Sequence, residues 1–346
     1  MKRVTLAVAT AASAFLLGLI VFSQSLCFAQ DHIRVGYLPV TGHAKIFIAK
    51  EKGFFSEEKI DAELVEFINS ADGLTALRSG KIDVGAFGTT APLVHIGQGA
   101  DLRIIGGIMG EDAAIVTRPE LAQSIRSVVD LKGRKLATVR LATGDAVLRG
   151  ALEKAGISWK KDLQIFELKS PPAVIEAVKS GEVDAGVIWG PHDFQAEKSG
   201  LVIVIRSRSL SPGHPCCRIT LANSTLQKDP AVWIRYLRAI LKAEKFAKEN
   251  QKETVDTILK YVKLDYDTIR KAFYEGYLDQ SSDPNKTGVK DFWRTMQASE
   301  FVSSQFDISS FIETGLYKSA LDSLARENPS DPFWVNLQKV YSERNL

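Results

Sequence analysis

Up to about residue 207 the chain alternates short apolar runs with turn residues, and beyond it apolar positions recur at helical spacing. The spacing predicts a buried strand over 33–38, a loop over 39–43 and an apolar helix over 44–50 stopped by Gly53. A strand over 63–67 follows, then the capping run Asn69-Ser70-Ala71-Asp72, a helix over 73–79 closed by Gly80, and a strand over 82–87. Gly88-Thr89-Thr90-Ala91-Pro92 turns into another helix, where a proline in the first turn is tolerated. Two more strands are expected at 102–108 and 113–117. Helices are expected at 230–249, 252–261, 265–277, 290–299 and 308–316.

The same pattern occurs twice. Leu77-Arg78-Ser79-Gly80-Lys81-Ile82-Asp83-Val84-Gly85 returns about a hundred residues later as Val178-Lys179-Ser180-Gly181-Glu182-Val183-Asp184-Ala185-Gly186. Upstream, Arg34-Val35-Gly36-Tyr37 with its Thr41-Gly42 loop parallels Lys135-Leu136-Ala137-Thr138 with its Thr143-Gly144 loop. That period is too long for a solenoid unit and suits one small α/β lobe. Alternating strand and helix in each copy argues for parallel βαβ sheets. The fold class read from this is α/β and bilobed, two open α/β lobes with a helical C-terminal tail packed on the first lobe. The expected division is a signal peptide over 1–29, lobe I over 30–115 plus 208–346, and lobe II over 116–207.

Residues 1–29 support the first of these. Lys2-Arg3 precedes an apolar run over 4–22, and Cys27-Phe28-Ala29 places small residues at minus three and minus one of a cut. An uncleaved membrane anchor is the alternative. Of 44 basic and 41 acidic residues, Lys2 and Arg3 leave with the leader, so the mature chain is nearly neutral and no nucleic-acid partner is expected. Cleavage leaves Cys216 and Cys217, adjacent in sequence; their Cα atoms, about 3.8 Å apart, are closer than an ordinary disulfide prefers. A bond between them would be strained and readily reduced.

The leader, Lys50-Glu51-Lys52-Gly53-Phe54-Phe55, the 76–85 stretch, Asp130-Leu131-Lys132-Gly133 and Ile188-Trp189-Gly190-Pro191 carry a resemblance. Together they resemble the periplasmic substrate-binding proteins of ABC importers for nitrate, sulfonates and taurine, which also include thiamine-precursor binders. The resemblance implies a periplasmic-binding-protein type II-like fold, a small-molecule solute between the lobes and no catalysis or cofactor. It also implies a monomer delivered to the periplasm, which meets the membrane only through an ABC permease and its ATPase. Sulfonate-type members usually continue the tryptophan motif with an acidic residue; here Gly190 stands in its place, which weakens the case for taurine.

In open α/β sheets ligands sit beyond the carboxyl ends of strands, where helix N-termini present free N–H groups. The candidate ligand residues are therefore His43, Asn69, Gly88, Thr89, Thr90, Thr143 and Gly144, whose hydroxyls and close-approaching amides suit a small oxyanion. Helix capping is the plain alternative for each loop. Trp189 and His192 follow as a cleft wall, and Arg140 and Arg218 as anion clamps. His214, Cys216 and Cys217 complete the set, with no metal site as the leading expectation. Two alternatives stay open: a metal-binding receptor using His43, His192, His214, Cys216 and Cys217, and a thiamine-precursor (pyrimidine) binding or synthase-like protein using His and Cys chemistry.

Overall fold

The computed structural model describes residues 30–346, so the leader expectation lies outside the described residues. Two mixed sheets organise them, helices packed on both. The first sheet has the order β11-β4-β10-β3-β1-β2, with β1 (Asp31–Tyr37), β2 (Ile60–Glu66), β3 (Val84–Gly88) and β4 (Leu102–Glu111). The second has the order β7-β6-β8-β5-β9, with β5 (Ala113–Thr117), β6 (Lys135–Val139), β7 (Gln164–Leu168), β8 (Ala185–Trp189) and β9 (Val202–Arg206). The chain then returns to the first sheet as β10 (Pro215–Ala222) and, briefly, β11 (Leu278–Asp279).

The sequence repeat is a repeat of register. β1 pairs parallel with β2 and β3 as β6 does with β7 and β8, Val35 opposite Val84 in one lobe and Leu136 opposite Ala185 in the other, a constant offset of 101 residues. The aspartate of the repeated motif is a staple. Asp83 accepts from the Arg34 amide at 2.8 Å and Asp184 from the Lys135 amide at 2.9 Å, each fixing the first strand of its lobe. Gly80 and Gly181 hold φ of 69° and 80°, the left-handed conformation that ends the preceding helix cheaply only as glycine. The motif that advertises the fold is thus spent on the fold.

The sheets are not wholly parallel. β10 runs antiparallel to β3 and β4, and β5 antiparallel to β8 and β9. The reason is connectivity: β5 and β10 are the first strands after each passage between lobes, so they enter from the cleft and run against strands whose carboxyl ends face it. The first passage lies at Glu111-Asp112, where φ is 58° and 75°, and β5 already belongs to the second sheet. The crossing therefore precedes residue 115.

The tail is more extensive than its spacing suggested. Beyond helix Pro230–Glu249, which buries Trp233, Tyr236 and Leu237 in the first lobe's core, it adds helices Thr314–Glu327 and Pro332–Asn345. The segment expected as helix over 308–316 is a short 3-10 turn, Ile308–Phe311, broken before Thr314. Helix Lys286–Ala298 also touches the second lobe: a Cβ on Gly150 would lie 2.2 Å from the Thr295 methyl, and the Trp159 indole donates to the Ser299 carbonyl at 2.7 Å. Among the described residues no helix is long and apolar enough to cross a membrane.

Candidate functional site

The carboxyl ends of β3, β6 and β8 converge on a narrow crevice with a cavity of about 20 Å³. The first lobe contributes Leu38, Val40, Ser70, Gly88 and Met109, and β10 adds Cys216 and Cys217. The second lobe contributes Ala113, Ala142, Thr143, Gly144 and Trp189. Two roomier hollows elsewhere open to solvent, one between helices Thr143–Lys154 and Lys286–Ala298 and one beneath the C-terminal helix. The first is lined by helices and a loop, and the second reaches strands of the first sheet only, at Glu111 and β11. Of the three, the crevice alone gathers strand ends from both sheets, so it is the better candidate despite its size.

Its polar groups are few. Thr143 and Gly144 open a helix of 12 residues, whose first-turn amides have no partner within the helix. The Ser70 hydroxyl accepts from the Gly88 amide at 3.0 Å, and a Cβ on Gly88 would meet Ser70 Oγ and Thr143 Oγ1 at 3.2 Å each. Lobe meets lobe here. Thr143 donates its hydroxyl to the Cys216 carbonyl at 2.6 Å, and the same oxygen accepts from the Thr89 amide at 2.7 Å and the Thr89 hydroxyl at 3.0 Å. Asn69 makes a second bridge, its side-chain amide reaching the Lys169 carbonyl at 3.4 Å while its oxygen caps the Ser70–Arg78 helix through the Asp72 amide.

Gly88, Thr143, Gly144, Trp189, Cys216 and Cys217 thus border the crevice, and Thr89 and Asn69 hold its walls. The Thr90 hydroxyl is buried without a partner and does not line it. Arg218 is no clamp: its guanidinium donates to the carbonyls of Met109 at 3.1 Å and Cys217 at 2.7 Å on the buried side of β10. Burial lowers its pKa to about 10, with Asp283 and Asp279 opposing, so it stays charged at neutral pH. Arg140 is exposed. No lysine or arginine borders the crevice.

The histidines are spent elsewhere. His43 Nδ1 accepts from the Leu38 amide at 3.0 Å, and burial pushes its pKa down to about 3. His214 Nε2 pairs with Ser207 Oγ at 3.0 Å and is pushed down by burial to about 4. His192 pairs with Gln195 at 3.2 Å, its pKa also lowered by burial. Among the described residues no three His, Cys, Asp or Glu side chains gather as a metal donor set, so the five-residue set of the metal alternative is not brought together. Nor does Cys216 offer an activated thiolate. The hydrogen bond with Cys217, and then burial, push the Cys216 thiol well above its usual pKa, the opposite of what an imidazolium neighbour would do.

Leu38, Val40, Met109 and Ala142 carried no signal beyond their place at strand ends. Asp112 was also missed. It sits at the crossing, buried, one carboxylate oxygen unpartnered, and burial followed by the neighbouring Asp193 and Cys216 raises its pKa well above the carboxylate range.

The model of the NMT1-like family matches residues 29–262. A chain of Brucella abortus (strain 2308) named as a binding protein is 27% identical over 306 residues, 87% of this chain and 92% of that one. An aliphatic sulfonates-binding protein of Escherichia coli (strain K12) is 30% identical over 197 residues, 56% of this chain and 60% of that one. Among solved structures, the ligand-binding component of an ABC-type import system from Staphylococcus aureus, with zinc bound, matches with a TM-score of 0.73 at 19% identity, over 84% of this chain and 99% of that one.

Proposed function

The chain belongs to the NMT1-like family, and from that premise we propose that it is the extracytoplasmic solute-binding receptor of an ABC importer, a monomer that hands its cargo to a permease and its ATPase. The observation that carries the reading is the crevice itself, walled by both lobes and bridged by the Thr143 hydroxyl on the Cys216 carbonyl. A solute entering between separated lobes gives both walls something to close on, and closure shifts toward the bound form by the difference in affinity between the two states.

The lining selects for a small solute with two ends. A compact oxyanion head suits the Thr143 and Gly144 amides, where the helix dipole favours negative charge without a guanidinium. An apolar body suits Leu38, Val40, Met109 and the Trp189 ring. A short aliphatic sulfonate has that shape, and the sulfonate-binding relative supports it. No carboxylate borders the crevice to meet an amine, which disfavours taurine within the class. Apart from the solute, the receptor needs no cofactor and carries out no reaction.

Calorimetric titration of the purified protein with alkanesulfonates, taurine, nitrate, carboxylates and a pyrimidine tests this directly. Short alkanesulfonates should bind more tightly than taurine, in the micromolar range or better, about 8 kcal/mol. Preference for the pyrimidine, or binding of none, would overturn the assignment.

A further inference from the structure

Successive residues of a strand normally point to opposite faces of a sheet. Cys216 and Cys217 instead both border the crevice. The cause is local, because the register of β10 against β4 shifts on either side of Cys217. The peptide unit joining the two cysteines carries the Cys216 carbonyl, the oxygen on which Thr89 and, from the other lobe, Thr143 converge. One peptide thus links a vicinal dithiol to the bridge between lobes.

We infer that Cys216 and Cys217 form a site of reversible oxidation that governs lobe closure. In the forward step the two S–H bonds break and one S–S bond forms between them. Two electrons and two protons pass to an external disulfide, of a small thiol compound or a protein, whose own S–S bond breaks to give two thiols. Adjacent Cα atoms lie closer than a disulfide prefers, so the ring is accommodated by turning the peptide between them. That turn moves the Cys216 carbonyl away from Thr143 and releases the bridge. A strained vicinal bond is also an easily reduced one, which makes the step reversible. Buried between closed lobes, the pair is shielded, and oxidation proceeds from the open form.

This rests on the receptor reading for its biological consequence only, since both of its observables are read without solute. The purified full-length protein is reduced, treated with glutathione disulfide, alkylated under denaturing conditions and digested with trypsin. Cleavage after Arg208 and Arg218 isolates both thiols in one peptide with no other cysteine. Without solute the reduced lobes exchange between open and closed forms, and oxidation removes the closed one. The expected peptide is unalkylated and lighter by two hydrogens, and the oxidised protein has a larger radius of gyration in solution scattering than the reduced, solute-free protein, a difference that dithiothreitol reverses. Cys216→Ser and Cys217→Ser should each abolish the expansion, and Thr143→Val should reproduce it in the reduced state. A peptide that stays fully alkylated, or a ring that forms with unchanged scattering, overturns the inference. Either failure leaves the receptor reading standing, and absence of solute binding leaves the oxidation result standing.

Discussion

The hydroxyl of Thr143, first residue of a helix in the second lobe, lies 2.6 Å from the carbonyl of Cys216 in the first lobe's sheet, and that bond closes one side of the crevice. Removing the hydroxyl while keeping the shape isolates its contribution to closure. Thr143→Val should cost about 1 kcal/mol of closed-state stability, the net worth of a typical hydrogen bond, and weaken solute binding roughly fivefold. Calorimetric titration is the check; unchanged affinity would mean the bridge is incidental.

Gly88 tests the crevice from within. A methyl there would stand 3.2 Å from both Ser70 Oγ and Thr143 Oγ1, between the walls and not inside either lobe's core. Gly88→Ala should weaken solute binding by at least about tenfold, 1.4 kcal/mol, while the melting temperature of the solute-free protein changes little. A large drop in melting temperature with affinity retained would contradict this.

Gly150 tests closure from a distance. Its absent Cβ lets helices Thr143–Lys154 and Lys286–Ala298 touch, and Thr295 cannot simply rotate away because its hydroxyl is bonded to the Asp291 carbonyl at 3.0 Å. Gly150→Ala should strain the contact by about 1–3 kcal/mol and lower solute affinity although residue 150 does not border the crevice. The solute dissociation constant of the variant reads this, and a value equal to wild type would show that the helices need not meet for binding.

Two buried histidines set an acid limit. Burial holds His43 at about 3 and His214 at about 4, below the 6.5 of an unburied imidazole. Between those values and 6.5 the unfolded chain binds protons that the folded chain does not, so stability is full above 6.5 and falls as pH falls. Each histidine should cost about 1.4 kcal/mol per pH unit within its window. Denaturant unfolding should give a lower stability at pH 5 than at pH 7. His43→Asn, whose side-chain oxygen can replace Nδ1 as acceptor for the Leu38 amide, should narrow that difference. An equal difference in the variant would assign the pH dependence elsewhere.

The bilobed α/β fold was legible because its signal is local and doubled: Asp83 and Asp184, and Gly80 and Gly181, do the same backbone work at one offset. The antiparallel β5 and β10 were not legible, since strand direction depends on where the chain crosses between lobes and no residue spacing encodes that. Along the crevice, the positions of Gly88, Thr143, Gly144 and Trp189 followed from the rule that ligands gather at strand ends. His43, His214 and Arg218 were misjudged for one physical reason. A polar side chain beside a predicted cleft can take its partners from behind the wall, main-chain groups for His43 and Arg218 and the Ser207 hydroxyl for His214, and which side it takes is decided by packing.

Solution scattering with and without a saturating solute identified by titration tests the central claim most directly. Closure of two lobes on a solute predicts a smaller radius of gyration on binding, with the bound profile matching the one calculated from the present structure. Superimposable profiles for the free and fully bound protein would contradict it.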